Sequence, residues 1–254
     1  MRDNLYARAL ACENAKGDSF ILVSLDAIAV EAYVSSRVRA RVEQLIGVPG
    51  KNVMVASTHT HTGGPVNSDI PEMSDKDYVD WMADRAADAA VLAWKNRKLV
   101  KIGSGAAYED TIAHIRRYHM KDGTFATNPG FHPELIARPA GEIDPEVGVI
   151  KIEDMDGKLI GVITNYACHL DTVGGHRFCA DFPGEMGRVL KSVYGKDLVS
   201  LFMTGACGNI NHCNFMGRPA SYYRDPTHPH YIRMGRILAG DVIRALLKVH
   251  QEVQ

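Results

Sequence analysis

Apolar and polar positions alternate along this chain in blocks that read as strand, helix, strand. From Ser19 to Ile28 the run Ser-Phe-Ile-Leu-Val-Ser-Leu-Asp-Ala-Ile is apolar on both faces and carries Asp26 at its end, which predicts a strand covered on two sides. Glu31 to Ile46 sets Val34, Val38, Val42 and Leu45 at helical spacing, and Gly47 supplies a left-handed stop. Asn52 to Ser57 is a second apolar strand that runs directly into Thr58-His59-Thr60-His61-Thr62-Gly63-Gly64-Pro65. A packing helix follows over Asp77 to Asn96, with Val79, Met82, Ala83, Ala86, Ala90, Ala93 and Trp94 on one face.

Tyr108 to Glu146 shows little periodicity and holds four prolines; it is too long for an idle connection and reads as a lid or a substrate wall. Val147 to Ile163 predicts a hairpin about Asp156-Gly157, and its second strand continues into Asn165-Tyr166-Ala167-Cys168-His169. Gly184 to Tyr194 reads as a helix. Leu198 to Met203 is a buried strand ending in the loop Gly205 to Asn211, and Tyr231 to Val249 is the last helix.

Strands alternating with helices predict one layered α/β domain over residues 1–254, a mixed β-sheet flanked by helices. Ligand sites in such sheets lie at the carboxyl ends of strands. Four strands here end in Asp26, His59, His169 and the Gly205 loop, and that convergence marks the candidate site.

Composition narrows the partners. Of 254 residues 46% are hydrophobic and 23% charged, as in an ordinary globular domain, and a net charge of −1 offers no field for nucleic acid. No apolar run is long enough to cross a bilayer, and the opening residues lack the apolar stretch of a signal peptide, so a cytoplasmic location is expected. Cys12, Cys168, Cys179, Cys207 and Cys213 have no paired metal-ligand spacing and are expected to be reduced.

In an extended segment His59 and His61 share one side and the flanking threonines the other. Two imidazoles in one pocket suit a metal such as zinc, with His169 from a separate strand available to join them. The pair does not by itself name a reaction. The glycines of the 205–211 loop permit either a set of N–H donors for an anionic transition state or a plain tight turn. Cys207 or the Cys168-His169 pair leaves a thiol nucleophile open. Arg116 and Arg117 are placed to clamp a carboxylate or phosphate, or simply to be solvated. Asp181 either orients a ligand histidine or caps the helix after it. No nucleophile-elbow, P-loop, dinucleotide or HExxH motif is present.

Six segments, Leu5-Tyr6-Ala7-Arg8-Ala9-Leu10, Val23-Ser24-Leu25-Asp26, His59-Thr60-His61-Thr62-Gly63, Asn165 to His169, Ala180 to Gly184 and Gly205 to Asn211, resemble in that order the N-terminal catalytic domain of neutral/alkaline non-lysosomal ceramidases. The resemblance implies a zinc-dependent amidase acting on a small N-acyl or lipid-like substrate, with one zinc ion on His59 and His169. His61 then lines the pocket; read from the residues themselves, Arg116, Arg117 and Gly208 are the substrate-binding candidates. Where ceramidases carry Gly-Asp-x-Ser, this chain has Asn209 and Asn211, the form found in shorter bacterial relatives; with His61 and Asp26 these are the catalytic candidates, and Asn211 is expected to hydrogen-bond a substrate carbonyl. The family takes two further zinc ligands, a glutamate and a tyrosine, from chain beyond the last helix. The expectation is therefore a domain without some N- and C-terminal family parts, its site completed by Asp26, Asp181, His61 or another chain. The alternative is a non-catalytic or truncated relative that acts as a binding module.

Overall fold

The computed structural model describes residues 2–66 and 74–249. In chain order the strands and helices are β1 (Ala7–Glu13), β2 (Ser19–Leu25), α1 (Ala32–Ile46), β3 (Val53–Ser57), α2 (Lys76–Lys95), β4 (Val100–Tyr108), β5 (His114–Ile115), β6 (Arg117–Met120), β7 (Phe125–Thr127), β8 (Ile136–Pro139), β9 (Glu146–Asp154), β10 (Leu159–Tyr166), α3 (Asp181–Tyr194), β11 (Val199–Thr204), β12 (Ile210–Asn211), α4 (Ala220–Tyr223) and α5 (His230–Lys248).

Side-chain alternation on β2 explains the layering. Ile21, Val23 and Leu25 point to one face and pack with Val34, Val38 and Val42 of α1 and with Met82, Ala83 and Ala86 of α2. Leu22 points to the other face and meets Ile163 and Leu201 of a second sheet. On that second sheet Val162 and Phe202 turn outward to α3 and α5, against Phe182, Met186, Leu238 and Val242. The result is four layers, helix, sheet, sheet, helix. The layered α/β class agrees with the sequence reading, but the mixed strands are divided between two stacked sheets. One runs β1-β2-β3, with β1 antiparallel and β3 parallel to β2; the other runs β11-β10-β9-β4, with only β10 and β11 parallel.

The two sheets are tied together where their parallel strands end. Ser24 Oγ donates to the Phe202 carbonyl at 2.8 Å, and Thr204 Oγ1 to the Thr58 carbonyl at 2.5 Å. Beyond the last residues of β3 and β10, Thr60 and Leu170 form a parallel bridge, with His61 N donating to Leu170 O at 3.0 Å. Both bridge residues are fully buried. Gly47 caps α1 at φ 71° and Gly157 turns the hairpin at φ 83°, the left-handed positions that the sequence marks.

The aperiodic 108–146 segment is structured through pairings that no local pattern encodes. β5 pairs with β12, and β6 sits between β7 and β8 in a small sheet whose Tyr118 packs on Phe215. Arg116, between β5 and β6, reaches the strand ends from this wall.

On the opposite side α3 and α5 touch closely because Gly235 has no side chain: a Cβ there would lie 2.5 Å from the Phe182 carbonyl and 2.6 Å from Glu185 Cβ. Gly235→Ala is expected to cost about 1–3 kcal/mol through overpacking. Urea denaturation checks this, and unchanged stability would refute the close contact.

Candidate metal centre

β3 stops at Ser57, and His59 itself is left-handed at φ 72°, a conformation rarely adopted outside glycine, asparagine and aspartate. The alternation expected of an extended strand therefore does not apply, yet its outcome holds. Thr60 and Thr62 both donate to the Cys179 carbonyl, at 2.7 and 3.2 Å, and turn inward. His59 and His61 are left on the open side with ring centroids 5.0 Å apart.

His169 arrives beside them across the Thr60–Leu170 bridge. One ligand atom from each of His59, His61 and His169 lies within 4.8 Å of the others, which makes this a group that can hold a metal ion. The rings of His59 and His169 are fixed by backbone carbonyls. His59 Nδ1 is 2.7 Å from Ile28 O, and His169 Nδ1 is 2.8 Å from Cys207 O. A carbonyl only accepts, so both Nδ1 atoms carry a proton, which in the neutral form of either ring leaves the lone pair on Nε2. Those two Nε2 atoms stand 3.2 Å apart. Two ligands at zinc–nitrogen distances of about 2.0–2.1 Å and tetrahedral angles lie about 3.3 Å apart, so the donor pair fits that ion.

Neither His61 nor His169 favours its charged form. Burial holds both below the ordinary histidine value, with the neighbouring His59 lowering them further. The His61 ring has no hydrogen bond to any described residue, in contrast to its two neighbours. Arg116 Nη1 lies 3.4 Å from His169 Nε2, and its buried Nε has no partner among the described residues.

The structure gives the other sequence candidates different positions. Asp26 is not in the histidine group. Its buried carboxylate accepts from Arg8 at 2.9 Å and from Tyr6 N at 2.9 Å, which fastens β1, and the end of β2 supplies the Ile28 carbonyl instead. Arg117 points away from Arg116, packs over Phe125 and, with Gly208 and Asn209, lines a hollow of about 510 Å³ whose walls exclude the three histidines. The 205–211 loop turns the Cys207 carbonyl toward His169. Asn211 has no group to spare for a substrate carbonyl: its oxygen accepts from His212 N and Cys213 N, and its amide lies 3.3 Å from Asn128 Oδ1 and 3.4 Å from Asp171 Oδ2.

All five cysteines are free, as expected. Burial pushes the Cys168 thiol well above its ordinary value and raises that of Cys207, the opposite of an activated nucleophile. The thiol reading is set aside on that ground.

Asp171 was missed by the sequence reading. The signal was available, because His169-Leu-Asp171 has the same spacing as His59-Thr-His61. Its carboxylate forms an ion pair with His212 Nδ1 at 3.0 Å. Burial pulls His212 toward its neutral form, but its bonds to Asp171 and Cys213 prevail and raise its pKa to about 9.

Asp181, fully buried and left-handed at φ 55°, takes neither role considered for it: it bonds no histidine, and the N-cap of α3 is Ala180. It accepts from Phe182 N at 2.6 Å at the start of α3, and from Thr172 N at 3.0 Å and the Thr172 hydroxyl, three residues past His169. It steadies the ligand loop without touching a histidine.

Burial raises the Asp181 pKa to about 6, against the pull of these hydrogen bonds. The folded state then binds more protons than the unfolded one between about pH 4 and 6. Wild-type stability falls as pH rises through that window, and Asp181→Asn makes the fall shallower, leaving the part owed to Asp26 and Asp241, whose carboxyls burial also raises. Denaturation midpoints at pH 4, 5, 6 and 7 for both proteins check it, and parallel curves would refute it.

The sequence model described as neutral/alkaline non-lysosomal ceramidase, N-terminal, matches residues 1–176. No curated protein matches. Among solved structures, the neutral ceramidase from Pseudomonas aeruginosa superposes with a TM-score of 0.76 at 19% identity, over 96% of this chain and 39% of that one. A structure titled as a ceramidase complexed with C2 gives 0.78 at 20% identity, over 96% and 38%. These likenesses establish the fold, and the chain spans about two fifths of the length of those relatives. On the match over more than half its residues, the chain belongs to the neutral/alkaline non-lysosomal ceramidase family.

Proposed function

We propose that this chain is a zinc-dependent hydrolase of an amide (N-acyl) bond, with His59 and His169 as metal ligands. The observation that carries the reading is the facing pair of Nε2 atoms 3.2 Å apart, each ring fixed by a carbonyl behind it. Two neutral lone pairs at that distance repel, and a cation between them turns the repulsion into two bonds.

A bound zinc would lower the pKa of a water and polarise the carbonyl to be attacked. The chain's own residues do the rest. Arg116, beside His169, donates to the acyl oxygen as it gains negative charge. His61, neutral and free of hydrogen bonds to described residues, is suited to take a proton and pass it on. Membership of the ceramidase family makes a lipid-like N-acyl compound the first substrate class to test.

Elemental analysis of protein purified without chelator is expected to give close to one zinc per chain, lost in His59→Ala and in His169→Ala. Absence of zinc in the wild type would overturn the reading. Hydrolysis of short N-acyl amides should require the metal, and Arg116→Ala should lower kcat/KM by about 100-fold with zinc content unchanged. Bound zinc with no turnover on any N-acyl substrate would favour a binding module.

A further inference from the structure

The three histidines are not held alike. Carbonyls fix the rings of His59 and His169, whereas the position of His61 rests on its backbone alone. His59 in turn keeps a left-handed backbone, φ 72°, which persists only where the surroundings enforce it. The loop that carries both residues therefore has to be gripped after His61 as well as before His59. Thr62 supplies part of that grip through the Cys179 carbonyl, and the glycine pair that follows supplies the rest.

Gly63 lies against the chain just past β2, where a Cβ would stand 3.2 Å from Ala27 Cα and 3.4 Å from Asp26 O. At Gly64 the space of a Cβ is already filled by the Tyr78 ring, by Cζ, Cε1 and Oη together. Gly64 is buried and is not left-handed, so its backbone accepts alanine and only the ring forbids it. That ring is carried by a rigid element. Tyr78 stands in the first turn of α2, where its N donates to the Asp75 carboxylate at 3.0 Å, and Asp75 N donates to Pro65 O at 2.9 Å. The ring centroid lies 5.7 Å from that of Trp81, and the side chain packs on the core that α2 shares with β2. A tyrosine has two side-chain torsions, so one packed in this way makes a stiff stop.

We propose that Tyr78 is a positioning residue for the metal site: its ring, seated on Gly64, holds the 58–64 loop so that His59 and His61 stay beside His169. The inference rests on the metal-site reading above. The ring acts by its shape and not by bonding, because its hydroxyl makes no hydrogen bond among the described residues.

The test is zinc affinity by competition with a chromophoric chelator, alongside the melting temperature of the metal-free proteins. Tyr78→Ala should weaken zinc by about 10-fold, the low end of the loss that follows removal of groups supporting metal ligands. Tyr78→Phe, which keeps the ring, should bind as the wild type does. Gly64→Ala should weaken zinc to a similar extent as Tyr78→Ala. The double variant should bind no more weakly than Tyr78→Ala alone, since the added methyl group then has room, and additive losses would contradict the contact. A lowered melting temperature with wild-type affinity in Tyr78→Ala makes the ring a support of the fold only; it overturns the proposal and leaves the His59/His169 site standing. If Tyr78→Ala fails to fold, Gly64→Ala decides, and wild-type affinity there overturns the proposal too. A wild type that binds no zinc refutes the underlying reading and the proposal with it.

Discussion

Everything at this site depends on one confrontation, the Nε2 atoms of His59 and His169 facing each other at 3.2 Å with their other ring nitrogens already committed. Had either Nδ1 been free, the ring could change tautomer and make an ordinary N–H···N bond. The Ile28 and Cys207 carbonyls remove that option. What remains is a facing pair of nitrogens that, in the proposed function, a cation joins, and the surrounding fold keeps them there.

The fold does so by joining two sheets at their carboxyl ends. His59 leaves β3 of one sheet and His169 leaves β10 of the other, and the Thr60–Leu170 bridge, together with the hydroxyl bonds of Ser24 and Thr204, holds those ends in register. The helices on the outer faces contribute stability and, through Asp181 at the start of α3, a grip on the loop after His169. The Asp26–Arg8 pair anchors β1 nearby. The left-handed His59 belongs to the same scheme: it is a strained residue held in place because the threonines on either side of His61 are bonded to Cys179.

Much of this was legible in the sequence. Strands buried on both faces show as unbroken apolar runs, so β2, β3 and β11 were readable, as were α1 and α5 from their helical period. The His-x-His spacing and the strand ending at His169 are legible as a group of imidazoles, while Asp26, at a third strand end, belongs to Arg8 and not to that group. Other parts were not legible because their stabilisation is non-local. β1 presents Ala7, Ala9 and Ala11 to the sheet's helices, too small to register as a strand pattern. β4 is interrupted by Gly103 and Gly105, and β5 to β8 exist only through distant partners. Side-chain allegiance was hidden for the same reason. Whether Asp26, Asn211 or Asp171 faces the site is decided by Arg8, by the backbone after β12 and by His212, none of which is adjacent in a readable period.

Extended X-ray absorption at the zinc edge of the purified protein tests the central claim most directly. The account predicts nitrogen or oxygen neighbours at about 2.0–2.1 Å with the outer-shell pattern of at least two imidazoles, lost in the His59→Ala, His169→Ala double variant. Sulfur neighbours at about 2.3 Å, or a spectrum without imidazole scattering, would contradict it.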